Sequence, residues 1–124
     1  MLKWYNLTTL KTFKNLNMEK EFIPYEQALA LKELGFDEPC MSSRDMNNGE
    51  GLIQLPLYQQ AFRWFREKYQ VHSTITSISQ ESWQWHITKP GESLGKLYEE
   101  DFYTYEKAEL ACLKHLIEIV KQTK

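Results

Sequence analysis

Val71–Pro90, VHSTITSISQESWQWHITKP, is the most strand-like stretch of the chain. Its first half, Val71 to Ser79, is rich in Val, Ile and Thr. Its second half alternates Trp83, Gln84, Trp85, His86, Ile87 and Thr88, and Gln80-Glu81-Ser82 separates the two. β-Branched and aromatic side chains suit a pleated, half-buried surface, and a period of two sends successive side chains to opposite faces. The stretch therefore predicts a β-hairpin ended by Lys89-Pro90-Gly91, with Trp83, Trp85 and Ile87 on one face and Gln84, His86 and Thr88 on the other. A further strand is expected around Gly95 to Glu99.

The period changes on both sides of this hairpin. Before it, Pro56 opens a segment in which Leu57, Tyr58, Ala61, Phe62, Trp64, Phe65 and Tyr69 recur at helical spacing, while Gln59, Arg63 and Arg66 gather opposite. After it, Thr104 suits a cap for a helix through Lys121, centred on Leu113, Leu116, Ile117 and Val120. A third helix runs from Pro24 to Leu34, because Ala28, Leu31 and Leu34 recur at three-residue steps and Gly35-Phe36 fits a left-handed glycine stop. Asn47-Asn48-Gly49-Glu50-Gly51 predicts a second hairpin turn flanked by Met41 to Met46 and Leu52 to Leu55, a mobile polar loop being the other reading of this segment. The order implies an α+β fold in which a small antiparallel sheet, as two hairpins or as three to five strands, packs against three helices.

A chain of 124 residues with 42% hydrophobic and 26% charged residues has room for one ordinary domain, expected over residues 18–124. Residues 1–17 differ from it. They are basic, with Lys3, Lys11 and Lys14 and no acid, and they read as a loosely ordered extension. Leu2, Tyr5, Phe13 and Leu16 share a side at helical spacing, so a partner or membrane anchor or a targeting leader is the other reading of this segment. The net charge of −2 becomes −5 over residues 19–124, which disfavours phosphate backbones, and no sequence-specific nucleic-acid partner is expected. No run of apolar residues suits a membrane span, and a cytoplasmic protein with Cys40 and Cys112 as thiols is expected. Cys112 reads as a small hydrophobe inside an apolar helix.

No local motif for nucleophilic, phosphate or zinc chemistry is present, so no catalytic, cofactor-binding or metal-binding residue is assigned and no cofactor is expected. His72 and His86 across the hairpin, or Cys112 with His115 one helical turn apart, form only incomplete metal sets. Glu109 falls near the middle of the last helix's apolar arc, and its expected place is in the first turns, beyond the sheet edge, where it suits the positive helix end. Trp83 and Trp85 are expected in the core. Were their face open, they would form a platform beside Tyr98. The opposite face, with Gln84, His86 and Thr88, is then the candidate contact surface for a protein partner. Arg63 and Arg66 are the candidates for holding a phosphate or carboxylate, with Arg63 also able to pair with Glu67 one turn on.

Three segments, EFIPYEQALALKELGFDEPC (Glu21 to Cys40), PLYQQAFRWFREKY (Pro56 to Tyr69) and LYEEDFYTYEKAELACLKHLIEIVK (Leu97 to Lys121), resemble a family of small uncharacterised proteins of phages, prophages and other mobile elements of gut bacteria. The resemblance spans most of residues 19–124, and the members begin near Met18. It implies no activity and no catalytic residue. The expectation is a small non-enzymatic accessory protein that binds a protein partner. The alternative is a module that captures a small ligand such as a nucleotide through Arg63 or Arg66. An enzyme built on Glu109 and a histidine is the reading with least support.

Overall fold

A computed structural model of the chain describes residues 18–91, 96–97 and 101–123. The expectations for residues 1–17 and for Tyr98 lie outside the described residues. A 3₁₀ turn, Met18–Glu21, leads into helix α1, Tyr25–Glu33, with Pro24 as its extended N-cap residue. The end of α1 is the glycine stop expected from Gly35-Phe36. Leu34 caps the helix, the Gly35 N–H donates to Lys32 O at 3.0 Å, and the Phe36 N–H donates to Leu31 O at 2.9 Å. Gly35 adopts φ +103°, a conformation that L side chains rarely take.

Strands β1, Ser42–Asp45, and β2, Leu52–Leu55, form the shorter hairpin, with Ser42 opposite Leu55 and Asp45 opposite Leu52. Four residues per strand give little independent stability, so the turn is tied to the rest of the fold. The Asn47 N–H donates to the Tyr25 hydroxyl at 2.8 Å, and the Arg44 guanidinium lies 4.4 Å from the centre of the same ring. Gly49 and Gly51 carry the positive φ angles that the Asn-Gly-rich turn anticipated.

Helix α2, Tyr58–Tyr69, ends at Gln70 in the left-handed region, and the chain passes into β3, His72–Ser79, and β4, Ser82–Thr88. These pair antiparallel, His72 opposite Thr88 and Ser77 opposite Trp83. The short β5, Lys96–Leu97, lies on the other edge of β4, giving the order β3-β4-β5. Further along that edge Trp83 and Phe102 exchange both backbone hydrogen bonds, at 2.8 and 2.9 Å. Helix α3, Tyr105–Thr123, starts at the expected cap, where Thr104 Oγ1 accepts from the Lys107 N–H at 3.1 Å.

The fold is α+β, with two small antiparallel sheets packed against three helices. Helix α3 lies on β4 and β3, α2 packs against α3 and β3, and α1 packs on β2 and α3. The apolar positions read from the sequence are the ones buried: Leu31 from α1, Ala61, Phe62, Trp64 and Phe65 from α2, Trp85 and Ile87 from β4, and Cys112, Leu113, Leu116 and Val120 from α3. Among the described residues no helix is long and apolar enough to cross a membrane.

Candidate functional site

The three-stranded sheet buries one face and presents the other. Trp83, Trp85 and Ile87 point inward with Ser73, Ile75 and Ser77, while Gln84, His86 and Thr88 point outward with Thr76, Thr74 and His72, their register partners. The indoles are core groups: Trp85 is buried with its ring 5.0 Å from that of His115, and half-buried Trp83 meets Tyr105 edge-on at 5.3 Å.

The outward face therefore consists of His72, Thr74 and Thr76, all exposed, beside half-buried Gln84, His86 and Thr88. None of the six is Asp, Glu, Lys or Arg. Charge begins at its border, where the Gln84 side-chain amide donates to Asp101 Oδ1 at 2.7 Å. Two large apolar side chains stand out nearby in the chain: Ile78, 54% exposed near the hairpin end, and Tyr103, 76% exposed, next to the Phe102 bridge. The sequence alone did not single out Tyr103; aromatic residues on a surface and in a core look alike until the neighbouring backbone is placed.

The other candidates fall elsewhere. Arg63 is held by two carboxylates, Glu38 at 3.6 Å and Glu67 at 3.5 Å, the second being the expected one-turn pair. Arg63 and Arg66 line a shallow hollow of about 560 Å³ with Cys40, Leu57, Gln59 and Gln60. His72 and His86 sit diagonally on the outer face, since Thr88 and Thr74 are their direct partners. Cys112 is buried, with its thiol pushed up to about 12 chiefly by that burial. Among the described residues no three His, Cys, Asp or Glu side chains are grouped to hold a metal ion.

Glu109 requires a correction. It does not lie beyond the sheet edge but is buried, 4% exposed, within the packed face of α3. The helical direction read from the sequence was right, but the depth of the packing around it was not. Burial pushes its carboxyl up to about 7, the charges of Glu21 and Glu106 add to the rise, and the hydrogen bond from the Tyr105 hydroxyl opposes it. Tyr58 is pushed up to about 12 by its own burial and by the Glu109 charge.

Among the described residues an open groove of about 930 Å³ lies beside the start of this helix. Its first wall exists because the incoming chain is pinned: Phe22 bridges to Leu57, and the Ile23 N–H donates to Pro56 O at 3.0 Å. Ser42, Arg44 and Leu55 of the short hairpin form the second wall, and Thr104, Glu106, Lys107 and Leu110 form the third, with Tyr58 also lining it. No family model, curated protein or solved structure matches the chain.

Proposed function

We propose that this protein is a small, non-enzymatic accessory protein of phage or mobile-element origin that acts in the cytoplasm by binding a protein partner through the outer face of the β3-β4-β5 sheet. One observation carries the reading: six neighbouring outward side chains, His72, Thr74, Thr76, Gln84, His86 and Thr88, lack a carboxylate, ammonium or guanidinium group in a chain that is 26% charged. The central part of a protein interface is depleted of charged residues, and an uncharged face of hydroxyl, amide and imidazole groups sheds its water at lower cost than a charged one. Exposed Tyr103 supplies the kind of side chain that anchors such contacts.

The test compares partners recovered by the full chain and by a Gln84→Glu/His86→Glu variant expressed in the native host. Circular dichroism and thermal melting check that the variant is folded. The expected result is at least a tenfold loss of one discrete partner from the variant. Equal recovery removes the sheet face from consideration.

Capture of a small anionic ligand at Arg63 and Arg66 is the second reading, supported by the hollow that the two guanidinium groups share. The two carboxylates already beside Arg63 weaken it. Thermal-shift measurements with nucleotides separate the two readings, because a ligand bound by the native state must raise the melting temperature.

A further inference from the structure

We infer that the chain forms a symmetric dimer in which the open edge of β3 pairs antiparallel with the same edge of a second copy. The inference does not rest on the sheet-face reading. In the order β3-β4-β5 the outer edge of β3 has no strand partner among the described residues, and nothing else among them bonds to the backbone of residues 72–77 on that side. Helix α2 does not close over it: Gln59 and Arg66 share an open hollow of about 210 Å³ with Ser73, Thr74 and Ile75, and Thr74, Thr76 and Ser77 are exposed. A bare edge is a template for another strand, and proteins that keep such an edge single blunt it with charge, proline, a bulge or a very short strand. β3 has eight residues, and from Val71 to Ser79 there is no charged residue, proline or glycine. Its one irregularity, between Ser77 and Ser79, comes at the hairpin end.

The residues of the edge select a second copy as the partner. Ser73-Thr74-Ile75-Thr76-Ser77 reads the same in both directions. A two-fold axis places one patch against itself. With that axis at Ile75, antiparallel pairing sets Thr74 opposite Thr76, Ser73 opposite Ser77 and Ile75 opposite itself, so every pair matches in size and polarity. The Thr pairs fall on the outer face, where their hydroxyls can bond to each other. The Ile75 pair falls on the inner face and covers side chains that are only half-buried in the single chain. The axis maps odd positions onto odd and even onto even, so whichever alternate N–H and C=O groups face the open edge are met by their counterparts. Ile78, 54% exposed, lies one residue beyond and gains His72 of the second copy as a neighbour. The joined sheet runs β5-β4-β3-β3-β4-β5 and uses each β3 edge once, so the assembly closes at two copies.

Sedimentation equilibrium of the purified full chain over a hundredfold range of concentration tests the pairing. The average mass is expected to climb from 14.8 kDa to twice that value and stop there. Thr74→Lys/Thr76→Lys places like charges opposite each other at both Thr pairs, as does Thr74→Glu/Thr76→Glu, and each is expected to weaken association at least tenfold. Both positions are exposed in the single chain, and circular dichroism checks that each variant is folded. An equal mixture of the two variants sets ammonium against carboxylate in the same register and is expected to dimerise at least as well as the wild type. In the unaltered chain, the amides of residues 73–77 should exchange with deuterium more slowly at high concentration than at low, a readout that needs no variant. The mass of one chain at every concentration, growth beyond two copies, exchange that ignores concentration, variants that associate undiminished, or a mixture that stays monomeric each overturns the proposal. Because Gln84 and His86 lie on β4, any of these failures leaves the partner-recovery test of the sheet face untouched.

Discussion

The Tyr105 hydroxyl is hydrogen-bonded to the carboxylate of Glu109, a residue one turn further along α3 that is 4% exposed. The bond favours the charged form, yet burial and the neighbouring Glu21 and Glu106 outweigh it, and the carboxyl rises from the ordinary 4.5 to about 7. A group raised in the folded state binds more protons there than in the unfolded chain between these two values. Its contribution to stability is therefore fully present below about pH 4.5 and is lost as pH rises through about 7. The loss amounts to at most about 3 kcal/mol. Glu109→Gln keeps an acceptor for Tyr105 and removes the charge, so melting curves should show the variant gaining on the wild type by several degrees at pH 8 and losing that advantage near pH 4.5. A difference independent of pH would show that the carboxylate is solvated.

Among the described glycines, all with positive φ, Gly35 alone has a neighbour within 4 Å of an added Cβ. Its φ of +103° strains any L residue, and an added Cβ would meet Lys68 Nζ at 3.2 Å. The ammonium is the far end of a flexible side chain and can yield, so most of the cost is in the backbone. Gly35→Ala should destabilise the protein by about 1–2 kcal/mol in urea unfolding, and Gly35→Asn by less, because Asn enters the left-handed region more readily. Equal stability of all three would remove the glycine stop from the account of how α1 ends.

How much was legible from residue order depended on how local the cause was. The glycine stop at Gly35-Phe36, the Thr104 cap and the β3-β4 hairpin are each decided within a few residues, so composition and spacing were enough, whereas the shorter β1-β2 hairpin, open to a loop reading, is tied down by Tyr25 from another segment. The inward and outward faces of β4 followed from the period of two. Glu109 was misplaced because its surroundings include Tyr58 and Glu21, which come from other segments of the chain. The groove was invisible for the same reason: Phe22, Leu55 and Leu110 have no relation in sequence until the Phe22–Leu57 bridge and the packing of α3 bring them together.

The two thiols should behave differently but neither should be reactive. Cys112 is fully buried, and its thiol stays protonated throughout the neutral range. Cys40 is half-buried and is also raised, first by burial and then by the Glu38 charge, which keeps thiolate scarce. A chromogenic disulfide reagent at pH 7.5 should therefore label native protein slowly and at Cys40 alone, with the second equivalent appearing only in denaturant. Rapid labelling at Cys112 would mean that α3 opens far more easily than its packing implies.

Leu116 and Leu52 are the same residue type in very different surroundings. Leu116 has no exposed surface in the layer between α3 and the sheet, whereas Leu52 is 60% exposed at the start of β2, where its neighbour Ile53 turns inward. Truncating the first removes several methyl and methylene groups from a packed interior and leaves a cavity that the surrounding side chains can only partly close. Truncating the second removes contacts that water largely replaces. Leu116→Ala should cost about 2–5 kcal/mol in chemical unfolding, and Leu52→Ala should stay within about 0.5 kcal/mol of the wild type. The contrast tests the layer arrangement directly, because a sheet shifted by one residue would turn the inward and outward positions of β2 around and bring Leu52 under cover. A large loss at Leu52 with a small one at Leu116 would overturn both the register of the short hairpin and the packing of α3.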